Sequence, residues 1–311
     1  MTIKQFKTDY SGAFNDIDPR YPYYHLNEGL YHLPIGANDC NAFVYIPPKT
    51  SCSCWSVAIL LDNDDYAESF IEKSGWKTIA DEEKLVLFLL KPLSTWNECS
   101  DPVLCVEKLR EQLDVRDHYV TQVFFAYLLG YSDGASVALR YTMIHPDAYA
   151  GLGLVGDFEF SAQEENLGAN SALLPYISAS DVPVPVYFQV KEKSESFMRA
   201  FDHFKKRNKC TNSVFEAENR LVSYPVQTQS QDTINGQFVA DVIGDVGGFD
   251  ISYEFSCKIW NQLHRTIRTT GVGPGGLHTF KTLESLGITT HEMMCGGYMR
   301  HWCEYIPQRN V

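Results

Sequence analysis

Apolar residues along this chain gather in short continuous runs rather than in alternating or heptad patterns. Residues 56–61, 85–90, 122–129, 150–156 and 182–190 contain no charged side chain. A run of that length, apolar on both sides of the pleat, reads as a strand covered on both faces. A further strand at 41–47 ends at Pro47-Pro48. Between the runs, residues 69–80, 102–113, 135–144 and 196–207 place apolar residues at helical spacing, and 258–268 reads as a terminal helix. Strands alternating with helices predict an α/β protein, a mostly parallel central sheet with helices on both faces.

The remaining stretches divide the chain further. Residues 1–35 are polar and aromatic, with Asp16-Ile-Asp-Pro-Arg-Tyr-Pro22 breaking any regular element, and are expected to lie on the domain surface. Residues 36–270 hold the α/β domain, within which the polar, poorly periodic 157–181 could form a small cap. Residues 271–311 read as a connector and an extra strand, in which 298–307 repeats the aromatic, Tyr-Ile-Pro-ending pattern of 39–47. Left unpaired, that strand is an open edge, so a homodimer or a partner domain is expected to dock on it.

Composition narrows the partners. The formal net charge is -13 and no basic cluster or basic amphipathic stretch occurs, which argues against nucleic acid and anionic membranes. No apolar run approaches the roughly 18 residues of a membrane helix, and the start lacks a secretory core. Nine scattered cysteines, with only Cys52 and Cys54 close together and no C-x-x-C, read as reduced thiols of a cytoplasmic protein, with no metal site expected. No phosphate loop or dinucleotide fingerprint follows a strand, and His291-Glu292 has no partner histidine at helical spacing, so no cofactor is expected.

The candidate chemistry centres on Gly130-Tyr131-Ser132-Asp133-Gly134, which stands between the predicted strand 122–129 and the predicted helix 135–144. Strand, G-x-S-x-G, helix is the nucleophile elbow, a tight turn that thrusts a serine up at the carboxyl edge of a sheet. From Tyr45-Ile-Pro-Pro48 through residues 57–62, 75–92 and 129–157, the order of elements resembles the α/β-hydrolase superfamily. Within it, the chain looks like the esterases grouped with polyhydroxybutyrate depolymerases and feruloyl esterases. The resemblance implies an α/β-hydrolase fold and a serine esterase acting on a small or polyester-like ester. It also makes the tail look like a connector into a second such domain, so that this chain corresponds to the first half of a tandem hydrolase.

Ester hydrolysis on this fold needs a nucleophile, a base, an acid and two oxyanion donors. Ser132 takes the nucleophile's place, with the Asp133 N–H as one oxyanion donor and the Asn63 N–H as the other. Relatives usually carry His-Gly in that second loop. Here Asp62-Asn63-Asp64-Asp65 brings three carboxylates where negative charge must develop, and unit charges about 4 Å apart cost roughly 4 kcal/mol at an effective dielectric of 20. Glu192, Glu195 or Asp157 are the candidate acids. No histidine lies between His203 and His264, where the base is expected, leaving His264 or His278 as candidates, with His291 and His301 in the tail. Without a base, a serine hydroxyl is a poor nucleophile. Two readings therefore stand: a serine esterase, and a hydrolase-like domain with impaired chemistry that binds a ligand or packs on a partner.

Overall fold

The computed structural model describes residues 1–5, 28–48, 54–62, 64–113, 121–167, 172–174, 177–217, 219–225, 240–248, 250–269 and 276–306. Three strands open the chain: β1 (Ile3–Gln5), β2 (Gly29–Leu33) and β3 (Cys40–Ile46). Then come β4 (Cys54–Leu60), α1 (Ala67–Lys73), α2 (Trp76–Glu83), β5 (Val86–Pro92), α3 (Pro102–Gln112), β6 (Thr121–Tyr131), α4 (Asp133–Ile144) and β7 (Leu152–Val155). Residues 157–181 contribute α5 (Ala162–Glu165) and a small hairpin of β8 (Ala172–Leu174) and β9 (Ile177–Ser178). The domain continues through β10 (Val186–Val190), α6 (Glu195–Arg207), β11 (Cys210–Ala217), β12 (Arg220–Pro225), β13 (Val242–Val246) and α7 (Tyr253–Leu263). Two further hairpins follow, β14 (Thr266–Arg268) with β15 (Leu277–Thr279), and β16 (Ile288–Cys295) with β17 (Tyr298–Tyr305).

Among the described residues, eleven strands form one sheet in the order β1-β2-β3-β5-β4-β6-β7-β10-β13-β12-β11. The six from β5 to β13 all run parallel, and β3 is antiparallel to both its neighbours. Alternation along β4 shows why its sequence is apolar throughout. Ala58 and Leu60 face a core closed by α3, α4 and α6, whereas Val57, Ile59 and Leu61 face a second core closed by α1, α2 and α7. Both faces are buried, so both registers must be apolar.

Three elements differ from the pattern-based expectation. The helix expected over 69–80 is two helices, because Gly75 turns left-handed at φ +76° and its missing Cβ lets Tyr253 of α7 approach; a Cβ there would lie 2.5 Å from the Tyr253 Cα. Part of the expected surface segment is a strand of the sheet: β2 buries Leu30, Tyr31 and Leu33, so the layer begins before residue 36. The terminal helix starts at Tyr253 behind its Ser252 cap and stops at Leu263, short of the expected 258–268. The tail strand pairs with β16 along its whole length, from Ile288↔Tyr305 to Cys295↔Tyr298. No helix among the described residues is long and apolar enough to cross a membrane.

Candidate active site

β6 and α4 meet at Ser132 in a tight bend. Ser132 sits between them at φ +48°, ψ -120°, a backbone conformation costly for any residue with a Cβ. Its N–H donates to the Val155 carbonyl at 2.8 Å and its carbonyl accepts from the Ala135 N–H at 2.9 Å, which pins the bend between β7 and the first turn of α4. The flanking glycines are required by contact. A Cβ on Gly130 would stand 2.4 Å from the Ala135 Cα, and one on Gly134 would stand 2.6 Å from the Leu60 carbonyl oxygen. Ser132 is thus raised at the carboxyl edge of the central strand, half-exposed, with Asp133 in solvent beside it as the first residue of α4.

The loop after β4 comes to the same edge and brings a carboxylate to the bend. Asp62 accepts a hydrogen bond from the Gly134 N–H at 3.3 Å, and the Ser132 hydroxyl lies close enough to favour its charged form. Burial, and then the charge of Asp133, nevertheless raise the Asp62 carboxyl above its usual range, with Asp65 adding to the effect. The start of α4 therefore faces a protein carboxylate, where acyl transfer would need room for a developing oxyanion. The Asn63 donor expected from this loop lies outside the described residues.

The candidate bases are not brought to Ser132. The His264 ring stacks on Trp260 and lies edge-on to Trp55, which itself packs against Phe125 near the start of β6. Seven residue steps along β6 carry the chain from Phe125 to Ser132, about 23 Å at roughly 3.3 Å per residue. His278 pairs with Ile267 in a hairpin that meets the opposite sheet edge: Thr266 accepts from the Tyr127 hydroxyl through its carbonyl and donates its own hydroxyl to Ala150. Burial, then the charge of Arg268, lower the His278 pKa. Both candidates fail for one reason: α7 and the strands after it run back toward the amino ends of the parallel strands. Elsewhere, His203 faces Glu165 at 3.5 Å from α6, and His291 bonds Glu304 at 3.0 Å within the tail hairpin. His301 lies on β17 of that same hairpin.

The candidate acids reach the correct edge but face water. Asp157 pairs with Lys191 at 3.6 Å, both side chains about two-thirds exposed; Glu195 pairs with Arg199 at 2.7 Å, and Glu192 is exposed. A better buried carboxylate escaped the sequence reading. Asp245, at the end of β13, accepts from the Tyr187 hydroxyl at 2.7 Å and from Lys258 at 2.5 Å, with the Arg220 Nε at 3.3 Å. Its lone pairs are engaged and its strand lies three positions from β6, so it orients no group on Ser132. A shallow cleft lined by Pro185, Tyr187, Asp241, Leu263 and Arg265 opens at the other edge and touches none of the elbow residues.

The succession β2-β3-β5-β4-β6-β7-β10-β13, with β3 alone reversed and a strained serine between the central strand and its helix, defines the α/β-hydrolase fold. No family model matches the chain, and no curated protein matches it in sequence. Among solved structures it is similar to the acetyl xylan esterase from Aspergillus awamori at 9% identity and a TM-score of 0.47, over 72% of this chain and 94% of that one. Est1E from Butyrivibrio proteoclasticus follows at 12% identity and a TM-score of 0.39, over 58% and 85%. The hyperthermophilic esterase from Pyrobaculum calidifontis is similar at 12% identity and a TM-score of 0.40, over 57% and 70%.

Proposed function

We propose that this chain is a hydrolase-like domain that does not perform fast acyl transfer, and that it serves by packing on a partner hydrolase domain. The observation that carries the reading is the Asp62 carboxylate on the Gly134 N–H, beside a serine that no described imidazole approaches. A serine without a base loses general-base assistance, a contribution of about 10²–10⁴-fold in rate, and a carboxylate beside the oxyanion position opposes the charge that must form there. The tail hairpin supports the packing role. Met293, Met294, Trp302, Tyr305 and Ile306 are all exposed on it, an apolar display suited to a protein partner.

The second reading is a slow serine esterase acting on a small or polyester-like ester, with Ser132 attacking and the Asp133 N–H holding the oxyanion. It is favoured by the intact bend, and by Asp62, whose raised pKa makes it a stronger base than an ordinary carboxylate. Incubation with a fluorophosphonate probe and with p-nitrophenyl acetate, beside Ser132→Ala, separates the two. The proposal expects no labelling of folded protein and no turnover that the substitution removes. Stoichiometric labelling abolished in Ser132→Ala would overturn it in favour of the esterase.

A further inference from the structure

Three cysteines remote in sequence meet at the elbow edge of the sheet. Cys40 begins β3 opposite Pro92 at the end of β5, Cys99 lies in the loop that follows, and Cys105 is on the first turns of α3. The Cys40 and Cys99 sulfurs are 3.9 Å apart and those of Cys99 and Cys105 are 3.7 Å apart; all three lie within 4.8 Å of one another. Cys40 and Cys105 are buried and Cys99 is half-buried, so the group opens to solvent on one side only. Nothing in the elbow chemistry uses these thiols.

The spacing is informative. A disulfide holds its sulfurs about 2.05 Å apart. A tetrahedral zinc site with Zn–S bonds of about 2.3 Å holds them about 3.8 Å apart along each edge. Both separations match the second geometry, a spacing that S–H···S contacts between thiols share. The surroundings suit a cation as well. The Asp101 N–H lies near the Cys99 sulfur, and Asp39 and Asp101 both set negative charge against Cys105. Asp39 is itself fixed by hydrogen bonds from the Ser100 N–H, at 3.0 Å, and the Ser100 hydroxyl.

We propose that Cys40, Cys99 and Cys105 form a thiolate site for a thiophilic divalent cation, zinc by geometry, with water at the fourth position on the Cys99 side. The cation ties the start of β3 to the β5–α3 loop and to α3. This inference does not depend on whether Ser132 is reactive.

The test uses the full chain purified under reducing conditions with any affinity tag removed. Elemental analysis after dialysis, or zinc titration against a chromophoric chelator, is expected to give one zinc per chain. Cobalt in its place is expected to show a thiolate-to-metal charge-transfer band. Cys99→Ser, at the half-buried rim, is expected to weaken zinc binding more than tenfold with the far-ultraviolet circular dichroism unchanged, whereas Cys303→Ser on the exposed tail hairpin leaves binding intact. Should Cys105→Ser fail to fold, Cys99→Ser and the wild-type titration still decide. Folded wild-type protein that takes up no zinc overturns the proposal. So does zinc retained at full affinity in Cys99→Ser, or an intact mass 2 Da low that marks a disulfide in the reduced preparation.

Discussion

Replacing Ser132 by glycine and, separately, by alanine measures how much strain the elbow stores. Both substitutions delete the hydroxyl and its contact with Asp62, so the difference between them isolates the backbone. At φ +48°, ψ -120°, a residue carrying a Cβ is held in a sparsely populated conformation that costs about 1–3 kcal/mol. Glycine removes that cost but enlarges the unfolded ensemble by about 0.5–1 kcal/mol. Ser132→Gly is therefore expected to be more stable than Ser132→Ala by about 0.5–2 kcal/mol. Urea unfolding followed by tryptophan fluorescence and circular dichroism reads this directly. With a slope of about 3 kcal/mol/M, the glycine midpoint should lie roughly 0.2–0.7 M above the alanine midpoint at equal slope. A glycine variant equal to or weaker than the alanine variant would mean a relaxed backbone at 132, and the hydrolase elbow would go with it.

Two further outcomes follow from the same bend. Gly134→Ala drives a methyl to within 2.6 Å of the Leu60 carbonyl, a backbone atom of a central strand that cannot step aside, and is expected to cost about 1–3 kcal/mol in urea unfolding; a loss under 0.5 kcal/mol would show that α4 is not seated against β4. Asp62→Asn keeps an acceptor for the Gly134 N–H and removes a charge that burial and Asp133 disfavour. Because the folded carboxyl holds its proton more tightly than an unfolded one, at about 3.9, its contribution is complete below that pH and is lost as pH rises through the raised value. Asp62→Asn should then melt higher than wild type near neutral pH, by no more than about 1 kcal/mol for so half-exposed a group. The gap should close toward pH 4, and a gap that stays constant from pH 4 to 8 would contradict the sign.

Much of the fold was legible because burial on both faces forces an apolar residue at every strand position. The runs at 56–61 and 85–90 overlap β4 and β5, to within two residues at each end, for that reason. The elbow was legible because close packing admits no side chain at Gly130 or Gly134, and a glycine can be read directly. β2 was missed because its five residues lie within an aromatic, polar stretch, and only pairing with β3 makes them a strand. The break at Gly75 was missed because its cause is Tyr253, remote in the chain.

The sequence by itself settled the layered α/β class, the central strands and the strained serine, all consequences of local apolarity and of glycines at contact points. Only the tertiary structure decided what surrounds that serine. Chain direction sent His264 and His278 to the far edge, the β4 loop set Asp62 on the Gly134 N–H, and the pairing of Cys40 with Pro92 carried one thiol to two others. Periodicity records whether a position is buried; which groups meet is fixed by strand order, and strand order joins residues that no local pattern connects.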